Sequence, residues 1–121
     1  MTLRARLEGL LATRGVRSVA VSSNDGFLLE SVGGDDADGE FVAGMIASSL
    51  ASGQALAELF GDGAVRQATI EYERGPVVLL PMPDDAEGHV LVAVLDDAAA
   101  LGRVRLALRR ALPELAQEVT T

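Results

Sequence analysis

The chain has 121 residues and a formal net charge of −8; its ten basic residues are all arginine, and it holds neither lysine nor cysteine. One domain of this length buries about two thirds of its surface, so residues 1–121 are expected to fold as a single unit without staples. The missing cysteine excludes disulfides, thiolate metal sites and cysteine nucleophiles, and the missing lysine excludes the Gly-Lys-Ser/Thr phosphate loop of nucleotide hydrolases.

Leu3, Leu7, Leu10 and Leu11 recur at helical spacing before Gly15, which predicts a first helix over 2–14. Val16 to Ser22 is β-branched and alternates weakly, as a strand does. Asn24-Asp25-Gly26 is a turn signal, because Asn and Gly tolerate positive φ. Phe27 to Val32 then returns as the second strand of a hairpin. An acidic loop over 33–39 follows, its aspartates suited to the positive end of the next helix.

That next helix, over 41–60 and ending at Gly61, carries Glu58 as its one charge. Val42, Met45, Ile46, Ser49, Gly53, Leu56 and Phe60 share one side, the expected core stripe. Gly44, Ser48, Ala51 and Ala55 form an offset strip of small residues. Ala43, Ala47, Leu50 and Gln54 occupy the remaining side, with Glu58 at its end. A helix apolar nearly all round is normally buried on more than one side, and in a domain this small one of those sides is expected to face another polypeptide. A bilayer span is disfavoured by the three serines, two glycines, Gln54 and Glu58, and by acidic flanks without basic anchors.

Val65 to Tyr72 alternates, with Arg66, Ala68, Ile70 and Tyr72 on one side and Val65, Gln67, Thr69 and Glu71 on the other, which suits a strand at a sheet edge. Glu73-Arg74-Gly75 turns the chain. Val77 to Leu80 and Val90 to Leu95 are unbroken apolar runs, the mark of central strands covered on both faces. Asp96 or Asp97 is expected to cap a last helix over 98–112 with Leu101, Val104, Leu108 and Leu112 inward, and Pro113 to end or kink it. Helix, two strands, helix, three strands and helix make an α+β fold, a three-layer α/β/α sandwich around a five-stranded sheet.

Little in this order suggests chemistry. His89 is the only histidine and opens a buried strand with no nucleophile partner in view. The acid pairs Asp84/Asp85 and Asp96/Asp97 fit solvated loops and caps better than a metal site. No catalytic, metal-binding or cofactor-binding residue is therefore expected. The aromatic residues Phe27, Phe41, Phe60 and Tyr72 give the arginines no stacking platform, so nucleic acid is not an expected partner. The opening Met-Thr-Leu-Arg-Ala-Arg-Leu-Glu lacks the apolar core of a signal peptide, and the expected location is the cytoplasm. Charge is unevenly spread: Arg4, Arg6, Arg14 and Arg17 oppose only Glu8 over 1–17, and Arg103, Arg105, Arg109 and Arg110 oppose no acid over 98–112. If the terminal helices share one side of the sheet, that side is basic and the other acidic.

In their order and spacing, several pieces resemble the roadblock family, the domains named from the dynein roadblock light chain. They are Gly15-Val16 entering the first strand, Ser23-Asn24-Asp25-Gly26 at the hairpin, the small-residue helix at 40–60, Gln67-Ala68-Thr69-Ile70-Glu71, and Ala100-Leu101-Gly102-Arg103-Val104-Arg105. The resemblance implies a profilin-like sandwich with a mostly antiparallel sheet. It also implies a homodimer that pairs third strand with third strand and second helix with second helix. The expected dimer contacts are Gly44, Ser48, Ala51, Ala55, Arg66, Ala68, Ile70 and Tyr72. The family implies a non-enzymatic module that binds or regulates a small Ras-like GTPase, here through Ala43, Ala47, Leu50, Gln54 and Glu58. Two other roles stay open: a structural adaptor with no effect on nucleotide turnover, and a sensor of a small ligand or anion on the basic helical side.

Overall fold

A computed structural model describes residues 1–34, 39–61, 63–83 and 86–120, with residues 39–41 described by backbone alone. Most of the expected acidic loop, and Asp62, Asp84 and Asp85, lie outside the described residues. The elements in chain order are α1 (Leu3–Leu11), β1 (Val16–Ser23), β2 (Leu28–Gly33), α2 (Gly39–Phe60), β3 (Ala68–Tyr72), β4 (Gly75–Pro81), β5 (His89–Leu95) and α3 (Leu101–Thr120). The strands form one sheet in the order β2-β1-β5-β4-β3, every neighbouring pair antiparallel.

The apolar runs behave as their composition requires. β5 lies at the centre of the sheet and β4 beside it, and both are buried on both faces. Val78, Leu80, Leu91, Ala93 and Leu95 join Leu7, Leu10, Val104, Leu108 and Leu115 in the larger core, which places α1 and α3 on one side. Leu79, Val90 and Val92 point the other way and meet Ile46 and Leu50 of α2. The layers are thus α1 and α3, the sheet, and α2.

Local chemistry sets the ends. The Thr2 hydroxyl accepts the Ala5 N–H at 3.1 Å and caps α1. The Asp97 carboxylate accepts the Ala99 N–H at 2.8 Å and starts a 3-10 turn, Ala98–Ala100, that runs into α3. Between β3 and β4 only Glu73 and Arg74 turn the chain, and Gly75 follows at φ +151°. A β-carbon there would sit 2.5 Å from the Leu95 carbonyl oxygen, so the sheet closes over this turn only with glycine.

Two boundaries depart from expectation. α3 continues through Pro113 to Thr120 instead of stopping near 112. The proline sacrifices one helical hydrogen bond, and tertiary contacts offset it. Leu115 is fully buried, Ala116 and Val119 pack on the same core, and the Arg6 guanidinium reaches Glu114 at 2.6 Å and Glu118 at 3.1 Å. β3 starts at Ala68, three residues later than its alternation suggests. Val65 and Gln67 are engaged elsewhere: the Val65 N–H donates to Gln54 Oε1 at 3.1 Å, and Gln67 Oε1 accepts from Arg109 at 3.0 Å.

Candidate interaction surface

The phase of α2 decides which side chains it shows, and it is the reverse of the sequence expectation. Ala43, Ile46 and Leu50 are buried against the sheet, with Ala47, Gln54 and Ala57 half-buried alongside. Ala43 and Leu50 are therefore part of the core, and the expected partner-binding side is largely the core side. Of that set only Glu58 is exposed. Gln54 is committed to the Val65 amide, and with Ala47 and Leu50 it lines a groove of about 690 Å³ at the end of the sheet that holds the β4–β5 connection.

The expected core stripe correspondingly faces outward, Ile46 and the half-buried Gly53 excepted. Met45 is 56% exposed and Leu56 53%, Val42, Ser49 and Phe60 are exposed with them, and Leu59 beside the stripe is 81% exposed. The inner side succeeds with small residues because the helix lies close over the sheet and the hairpin. A β-carbon on Gly26, in the β1–β2 turn, would stand 3.4 Å from the Gly44 Cα. Of the small-residue strip, Gly44 is half-buried there, and Ser48, Ala51 and Ala55 are exposed.

Val42, Met45, Ser49, Ser52, Leu56 and Leu59 recur at alternating steps of three and four, the spacing of a seam between two helices. Its ends are large and its middle is small, and the sequence is symmetric about the midpoint between Ser49 and Ser52. Two copies laid antiparallel would set Val42 against Leu59, Met45 against Leu56 and Ser49 against Ser52. The spacing was visible in the sequence, but it reads equally as a core stripe.

The edge strand β3 adds a second unpartnered surface. Ala68, Ile70 and Tyr72 pair with Leu79, Val77 and Gly75, which puts them on the α2 side of the sheet. α2 covers only the Ala68 end: Ile70 is exposed, and Tyr72 is 60% exposed. Pro76 has no N–H, so its pair with Glu71 is a non-hydrogen-bonded one, and alternation turns the backbone groups of Thr69 and Glu71 to the free edge. Arg66 is exposed but lies in the connection before β3, not on the strand.

The His89 Nδ1–H donates to the Ala86 carbonyl at 3.1 Å, a structural bond. Among the described residues no cluster of acids and histidine could hold a metal, and no helix is long and apolar enough to cross a membrane.

A family model described as the Roadblock/LC7 domain matches residues 4–101. A solved structure described as MglB with a tetrameric arrangement is 28% identical, covers 95% of this chain and 85% of that one, and superposes with a TM-score of 0.83. The gliding protein MglB from Thermus thermophilus is also 28% identical, with coverages of 95% and 86% and a TM-score of 0.82. A Loki profilin, solved with rabbit actin, is 14% identical with coverages of 98% and 93% and a TM-score of 0.58, and shares the fold alone. No curated protein sequence matches the chain.

Proposed function

Because this chain belongs to the Roadblock/LC7 domain family, we propose that it is a non-enzymatic homodimeric module that binds and regulates a small Ras-like GTPase. The observation that carries the reading is the outward seam of α2. Exposed Val42, Met45, Leu56 and Leu59 along one line of a small domain mark a protein interface, and the symmetry of the seam about its two serines suits a second copy of the same helix. A two-fold axis pairing the free edges of β3 would join two sheets into one and satisfy the open backbone groups of Thr69 and Glu71. With the axis at Ile70, that side chain meets its own copy, and Thr69 stands opposite Glu71, which avoids like charges in register.

Such a dimer leaves Ser48, Ala51, Ala55 and Glu58 on the outer flank of each α2. These small side chains allow close approach of a third protein, and this flank replaces the side closed by Ala43 and Leu50 as the GTPase surface. All nucleotide chemistry then belongs to the partner, in keeping with a chain that has no lysine for a phosphate loop.

The test is capture of a Ras-like GTPase loaded with GDP or with a non-hydrolysable GTP analogue. Binding that prefers one nucleotide state, and that falls with Ala51→Arg while the dimer persists, supports the reading. Equal or absent capture in both states contradicts it. Measuring GTP turnover in the same mixture separates regulation from simple assembly.

A further inference from the structure

We propose that the outer face of α3 is a second docking surface, built to take an acidic protein segment that presents an apolar side chain between carboxylates. It lies on the opposite face of the sheet from α2, with Arg109 at its edge reaching Gln67 before β3, and its centre stands apart from the reading above. Its centre is Leu106, 53% exposed. On a helix the neighbours of a residue are those three and four positions away. For Leu106 these are Gly102, Arg103, Arg109 and Arg110. Arg105 lies one turn before Arg109 on the same flank. The end of α1 adds Arg14, whose carbonyl accepts a hydrogen bond from Arg103 Nη2 at 3.3 Å.

Among the described residues these arginines make no ion pair with a carboxylate. Among the described residues the ion pairs are made by Arg4 and Arg6, and Arg6 occupies both acids of α3, Glu114 and Glu118. Arg109 is held by a neutral acceptor, Gln67. Like charges at neighbouring helical positions cost stability in the isolated domain. An external carboxylate surface would remove that cost.

The side-chain chemistry narrows the partner. Guanidinium groups fork onto carboxylates in pairs and recur among residues that dominate interfaces. An apolar centre with a charged rim is the anatomy of a protein contact. A bilayer surface would call for several apolar side chains along the helix, and this face has one. Single-stranded nucleic acid would call for aromatic stacking, and none is here.

The experiment is amide NMR of the full chain titrated with a blocked peptide of repeated Glu-Glu-Leu-Glu-Glu units. Polyglutamate, phosphatidylglycerol vesicles and a DNA duplex are titrated alongside. The expected result is saturable shifts confined to Gly102–Arg110 and Arg14, weakened by salt. Arg103→Glu with Arg110→Glu should weaken binding at least about fivefold, and Leu106→Ser should weaken it measurably. The neutral pair Arg103→Gln and Arg110→Gln serves if charge reversal disturbs folding. Absence of saturable shifts overturns the proposal, as does unchanged affinity in the arginine variants. Equal affinity for polyglutamate, vesicles or DNA also overturns it, by showing a surface for polyanions in general.

Discussion

Gly75 and Pro113 show how single residues set limits on this fold. At Gly75 the backbone is left-handed and a β-carbon would meet the Leu95 carbonyl from the neighbouring strand. Gly75→Ala should therefore cost about 2–4 kcal/mol, measured by urea unfolding at fixed protein concentration, and a loss below about 1 kcal/mol would contradict the close approach. Pro113 is exposed inside a helix, where the ring contributes nothing to the core and removes a hydrogen bond. Pro113→Ala should stabilise the protein by about 1–3 kcal/mol and raise the melting midpoint. A lowered midpoint would mean that the proline shapes the packing of Leu115, Val119 and the Arg6 ion pairs.

At the scale of elements, α2 is where its position and its orientation part company. Its outward phase makes an asymmetric prediction. Ala43→Asp buries a charge with no partner and should unfold the domain, whereas Met45→Asp should leave each domain folded and act only between chains. Circular dichroism and the melting curve distinguish the two; equal damage from both would place Met45 inside. The helix itself was legible, since its length, sparse charge and terminal glycine stand in the sequence. Its phase was not, because Ala43, Ala47 and Leu50 are as acceptable to a core as Val42, Met45 and Leu56. Hydrophobicity ranks the two sides wrongly when the inner one needs small residues to lie close over a sheet. The strands were more transparent: unbroken runs such as Val90 to Leu95 have nowhere to go but the centre. The start of β3 was hidden because Gln54 and Arg109 divert Val65 and Gln67, and both lie far away in sequence. The end of α3 was hidden likewise, since the local proline rule is overridden by Arg6 from the other terminus.

For the molecule as a whole, the two helical layers differ in kind. The layer of α1 and α3 gathers Arg14, Arg103, Arg105, Arg109 and Arg110, none of which makes an ion pair among the described residues, while α2 presents an apolar seam nearly free of charge. A homodimer through α2 and β3 would bury that seam and leave both arginine faces open on the outside. The edge strand, the uncovered Ile70 and Tyr72 and the symmetric helix face then have one common explanation. The most direct test is light scattering coupled to size exclusion at micromolar concentration, for the natural chain and for Met45→Asp with Leu56→Asp. The expected result is twice the 12.6 kDa of one chain for the first and a folded single chain for the second. A natural chain that runs as a stable monomer, with the α2 seam open to water, would contradict it.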